Sequence, residues 1–185
     1  TNLSSTGGLT INNLNALPSL FKINNSGDDM VLDFQAGAVA GTADNLLVNV
    51  TGTGSATTLT LTADGTGDIE TLTIDATAQA STITTLTTAD VDVANLVVTG
   101  DQRLTISNAL SSEVTNVDAS GNTGGLTLSA APGATLGVTF TGGAGNDVLT
   151  GTAAGADNIS TGGGADTITM TSLAATDTID GGAGA

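Results

Sequence analysis

Apolar and polar residues alternate in short bursts along the chain, as in Leu9-Thr10-Ile11-Asn12, Phe21-Lys22-Ile23-Asn24 and Leu59-Thr60-Leu61. A period of two sends successive side chains to opposite faces of an extended backbone, so each burst predicts a half-buried strand. Asn, Ser and Gly separate the bursts, which is strand punctuation and not helix capping. A further strand is expected at Leu46 to Val50. Gly27-Asp28-Asp29-Met30-Val31-Leu32-Asp33-Phe34 predicts an acidic turn leading into a strand.

A longer period lies over the short one. Leu59-Thr60-Leu61 is echoed at Leu104-Thr105-Ile106 and Leu126-Thr127-Leu128, with a poorer copy near Ile83. A spaced apolar pair recurs as Ile69 and Leu72, Val93 and Leu96, Val114 and Val117, and these offsets fall between 21 and 24 residues. Thr- and Val-rich strands at a fixed period in the twenties predict an all-β parallel β-helix, or β-solenoid, in which no coil buries its apolar face alone. Threonine suits the outer face, where its branched Cβ favours strands and its hydroxyl stays wet. Regular spacing with turn signals also fits an antiparallel sandwich, and the pattern alone leaves that alternative open.

Composition narrows the chemistry. The 185 residues include 26 Gly and no Cys, His, Trp or Tyr, and only two basic residues, Lys22 and Arg103, stand against 18 acidic ones. Catalytic triads, cysteine nucleophiles, zinc fingers and haem ligation by the usual side chains are therefore excluded. With so few large side chains the core must be narrow, which a solenoid permits. The net charge of −16 opposes nucleic acid and acidic membrane surfaces, and no apolar run is long enough to span a bilayer. The chain opens on Thr1 without a basic-then-apolar leader and closes inside a repeat, so it reads as a piece of a longer protein. The pairs Asp64 with Asp68 and Asp90 with Asp92 read as solvated turns and not as an acid and base, because nothing builds a pocket around them. The sequons at Asn2, Asn24, Asn49 and Asn158 read as chance in so Thr-rich a chain.

The acidic residues gain a purpose near the carboxyl end. Gly142 to Thr150 reads GGAGNDVLT and fits the nine-residue pattern G-G-x-G-x-D-x-U-x, with U a large apolar residue. Gly142, Gly143 and Gly145 let the backbone turn tightly and aim carbonyls inward, Asp147 adds a carboxylate, and Leu149 points into a core. Gly155 with Asp157, and Gly162, Gly164 and Asp166, repeat the second half of the pattern, and Asp177 belongs to a degenerate copy without its glycines. A glycine-rich surface loop carries one such motif by chance but hardly three in phase. Two nonapeptides make one coil, so Asp147 should stack with Asp166 and Asp157 with Asp177. Carbonyl and carboxylate oxygens in glycine-bent loops suit Ca2+, which takes six to eight hard ligands in tolerant geometry. Thr152, Thr161 and Ala175 replace glycines and Ala154 is inserted, so one good site is expected around Asp147 and Asp166 and weaker ones elsewhere. The five aspartates of residues 141–185 have no basic residue among them, and folding of this segment should depend on calcium. The reading divides the chain into a Thr/Val-rich β-solenoid at 1–140 and a calcium-binding β-roll at 141–185.

DIETLTIDAT and SEVTNVDASGNTGGLTLSAAPG, running into FTGGAGNDVLTGTA and TGGGADTITM, resemble bacterial RTX surface-layer proteins of the Caulobacter kind. The likeness covers the chain from about Leu59 onward and more loosely its beginning. It implies a structural, non-enzymatic protein on the cell exterior, exported by type I secretion and assembling with its own copies into a calcium-dependent two-dimensional lattice. Cell-surface polysaccharide, reached through a region outside this chain, is the anchoring partner it implies. The same RTX motif occurs in exported proteases, lipases, toxins and adhesins, so an RTX segment of a secreted enzyme and an adhesin stalk are the competing expectations.

Overall fold

Among the described residues the period-two bursts form seventeen strands, each too short and too narrow in cross-section to be stable without a neighbour above and below. The computed structural model describes residues 2–3, 7–24, 27–53, 57–65, 67–88, 90–129, 137–151 and 155–184, and among them there is no helix. Strands alternate strictly between two sheets. Sheet A holds β1 (Asn2–Leu3), β3 (Phe21–Asn24), β5 (Asn45–Thr51), β7 (Thr71–Ala76), β9 (Asn95–Gly100), β11 (Asn116–Asn122), β13 (Thr139–Thr141), β15 (Asn158–Ser160) and β17 (Thr178–Asp180), in that order. Sheet B holds β2 (Leu9–Leu14), β4 (Met30–Phe34), β6 (Thr57–Ala63), β8 (Ser81–Thr87), β10 (Leu104–Ala109), β12 (Leu126–Ser129), β14 (Val148–Thr150) and β16 (Thr167–Thr169).

Every named pairing is parallel, as between β7 and β9 or β10 and β12, so the chain is a parallel β-solenoid and the antiparallel sandwich is ruled out. Each coil gives one strand to each sheet, and the apolar residues stack in columns. Leu46, Leu72, Leu96, Val117, Phe140, Ile159 and Ile179 lie in one register down sheet A. All but the last are buried; Ile179, on the final described coil, is 42% exposed because no coil covers it. Burying each such side chain stabilises by about 1.5–3 kcal/mol, and neighbouring coils supply the burial. Ile69, Val93 and Val114, the apolar residues of the spaced pairs, are buried in the turns.

After an opening step of 21 residues from Leu9 to Met30, the coils are longest at the next step and shorter toward the carboxyl end. Residues bonded across adjacent coils are 29 apart at Asp33 and Thr62, 24 at Asp75 and Thr99, and 19 at Asp147 and Asp166. The shortening comes from the strands and turns together: β5 has seven residues and β13 to β17 have three each. β13 itself spans residues 140 and 141, and both sheets run through that point unbroken.

Candidate metal centre

Glycine in the short turns answers first to the closeness of the coils, about 4.8 Å in a ladder. A Cβ on Gly143 would lie 1.8 Å from the Asn122 carbonyl oxygen, and one on Gly162, whose φ is +86°, would lie 2.3 Å from that of Gly143. The turn backbones instead bond directly, with Gly163 N–H donating to the Gly143 carbonyl at 2.9 Å. Gly142 and Gly145 flank Gly143 in the turn into β14, Gly162 and Gly164 lie in the turn into β16, and Gly155 lies in the turn into β15.

Each motif aspartate ends its turn and reaches back one coil. Leu126 N–H donates to Asp147 Oδ1 at 2.7 Å, and Asp147 N–H donates to Asp166 Oδ1 at 2.9 Å. On the other edge of the sheets, Val138 N–H donates to Asp157 Oδ1 at 2.9 Å and Asp157 N–H to Asp177 Oδ1 at 3.0 Å. The structure therefore stacks Asp147 with Asp166 and Asp157 with Asp177, and it keeps the two stacks on opposite edges, because one stack leads into sheet B and the other into sheet A.

The first stack is the more confined. Asp147 is 1% exposed, and its Oδ2 accepts from Gly143 N–H at 3.2 Å. A Cβ on Gly142 would sit 2.3 Å from the Thr161 carbonyl oxygen and 2.4 Å from Asp147 Oδ2, so both oxygens approach this turn as closely as only glycine allows. In the turn above, Asp166 Oδ2 and Thr161 Oγ1 are buried without a hydrogen-bond partner. Burial pushes the Asp147 carboxyl above the usual carboxylate range; bonds from Leu126 and Gly143 pull it back, Asp166 raises it further, and Arg103 lowers it. In the second stack Asp177 Oδ2 is occupied by Ala174 N–H at 2.6 Å.

Such a set of carboxylate, carbonyl and hydroxyl oxygens fits a hard cation. A buried carboxylate oxygen without a donor demands a proton or a positive ion. Calcium would be held by Asp147, Asp166 and Thr161 together with turn carbonyls, since no group of three or more acidic side chains converges among the described residues.

Two contributors escaped the sequence pattern. Arg103 corrects the expectation that these aspartates lack a basic neighbour: its Nη2 donates to the Asn146 carbonyl at 3.3 Å, and its charge acts on Asp147. Asn122 lies buried one coil below Gly143, and its Nδ2 donates to the carbonyls of Gln102, Gly100 and Thr99 at 3.1, 3.3 and 3.4 Å. Its Oδ1 accepts from Gly125 N–H at 2.7 Å. A neutral amide thus gathers turn carbonyls in the last coil before the glycine-rich turns; the visible signal is the Asn-x-x-Gly spacing of a side-chain-closed turn. Elsewhere, Asp64, Asp68, Asp90 and Asp92 are all exposed, and Asn49 is buried with its amide donating to Asp75 and Thr77. Comparison with known proteins finds no matching family model, no matching curated protein and no matching solved structure.

Proposed function

We propose that this chain is part of a calcium-dependent structural protein that assembles with its own copies into a lattice on the outside of a bacterial cell. The observation that carries the reading is the buried, donor-less Asp166 Oδ2 stacked over buried Asp147 in glycine-rich turns. At a net charge of −16, separate copies repel, and an ion that binds locally between carboxylates removes that repulsion while ordering the coils. Rigid coils then dock laterally without a further large ordering cost, and one repeated contact propagates as a sheet. Nothing in this function calls for a catalytic group. Magnesium serves poorly, because it holds its waters and demands a stricter octahedron.

Two measurements test the proposal. Calorimetric titration should rank the loss of calcium affinity as Asp147→Ala and Asp166→Ala above Asp177→Ala, because Asp147 and Asp166 end glycine-rich turns and Asp166 Oδ2 is left without a donor, whereas the turn before Asp177 has no glycine. An equal or reversed order means the ion is misassigned. Electron microscopy of the full-length protein in calcium, magnesium and chelator should give ordered sheets only in calcium; folded, dispersed monomers at high protein concentration in calcium would sink the lattice.

A further inference from the structure

Sheet B carries a second regularity, on its outward face. Over β8, β10, β12, β14 and β16 the chain reads T-I-T, T-I-S, T-L-S, V-L-T and T-I-T, starting at Thr82, Thr105, Thr127, Val148 and Thr167. The middle residue of each triplet points inward, and the register places those five first residues in one column. Ser129, Thr150 and Thr169 form a second column beside it. Hydroxyl and methyl groups therefore repeat at about 4.8 Å from coil to coil and about 6.6 Å along each strand. Val148 keeps the shape of threonine without its hydroxyl.

The strands that form this face carry no charge of their own. The strands from β6 to β16 in sheet B contain no acidic or basic residue, in a chain with 18 acidic ones, whereas sheet A strands carry Asp75, Asp118 and Asp180. One cation, Arg103, reaches onto the face and donates to Thr127 Oγ1 at 3.2 Å.

An uncharged face matches an uncharged ligand, and a face periodic in two directions matches a ligand with the same kind of order. Protein partners are anchored by Trp, Tyr and Arg, with Ser and Thr scarce. Sugar surfaces stack on aromatic rings, and this chain has neither Trp nor Tyr. We propose that the outward face of sheet B adsorbs to ice. Threonine hydroxyls hold water at the column spacings while the methyls deny that water other partners, so an ordered layer stands ready to join a crystal. Each contact is weak; the rigid array adds them in register.

The test uses the full chain in calcium, slowly frozen onto a cold probe, with incorporation into ice and thermal hysteresis as readouts. The unaltered chain should concentrate in ice. Thr105→Lys and Thr150→Lys, one in each column, should fall to the level of an inert protein, and Thr139→Lys on sheet A should not. Where a lysine variant fails to fold by circular dichroism, Thr105→Ser replaces it and should lose at least severalfold in incorporation. Exclusion of the folded, unaltered chain from ice overturns the proposal. So do column variants that behave as the unaltered chain, or retention on crystalline cellulose without incorporation into ice.

Discussion

The coils from β5 to β12 and those from β13 to β17 share one hydrogen-bonded ladder but are held in different ways. In the first group each strand buries two or three apolar side chains, as with Leu46, Val48 and Val50 or Leu72, Ile74 and Ala76, and the turns bury Ile69, Val91, Val93 and Val114 as well. In the second, each strand turns a single large apolar residue inward, among them Phe140, Leu149 and Ile159, and the turns into β14, β15 and β16 carry glycine and aspartate. At about 1.5–3 kcal/mol per large apolar side chain, the first group has several times the apolar stabilisation per coil. Coil stacking is thus indifferent to what fills the turn, provided the interior is satisfied. Apolar side chains or an asparagine amide satisfy it in one half; in the other, an aspartate oxygen is left over.

Withdrawing calcium should break the comparison most strongly. Amides of β14 to β17 are expected to lose protection from hydrogen exchange in chelator while those of β5 to β12 keep theirs, since a solenoid unravels coil by coil. With calcium at a hundred times its Kd the linked stabilisation is about 2.7 kcal/mol, or about a hundredfold in exchange rate. Equal protection in both conditions would mean that the short coils hold themselves. Asn122→Ala sharpens the contrast with a smaller effect. It removes the bonds to the carbonyls of Thr99, Gly100 and Gln102, takes the acceptor from the buried Gly125 N–H, and should cost about 2–3 kcal/mol, equally with and without calcium. Urea unfolding measures this, and a loss seen only in calcium would assign Asn122 to the metal-dependent half.

The strands were legible because alternation is a local signal. Leu104 lies in register with Leu126, and Leu72 with Leu96, as the recurring fragments led one to expect. Register was less legible where a bulge intervenes: Leu59 pairs with Leu86 and not with Ile83, because the ladder slips between Thr57 and Thr58. The aspartate stacks followed from the spacing of the motifs. Arg103 did not, since it acts on a turn 43 residues later and nothing near it in sequence marks the contact. Asn122 was hidden for a different reason. An asparagine among Gly, Thr and Ser reads as an ordinary turn until the carbonyls of the coil below are seen to face it.

The titration of Asp147 gives the smallest effect and the most specific sign. Burial raises its carboxyl above the ordinary value of about 4, so without metal the folded chain keeps that proton to higher pH than the unfolded chain does. Between the unfolded and the raised folded value the folded state binds more protons. Stability of the coils around β14 should therefore fall as pH rises through that window, and the contribution should be flat below it. Calcium reverses the sign, because it binds only the ionised carboxylate and so stabilises increasingly as the proton leaves. Melting followed by circular dichroism from pH 4 to 7 should give opposite slopes in calcium-depleted and calcium-containing buffer. Asp147→Asn has no proton to exchange, so it should remove Asp147's share of both slopes. If the variant keeps the difference between the two buffers unchanged, the pH response belongs to other carboxylates and Asp147 does not meet the ion.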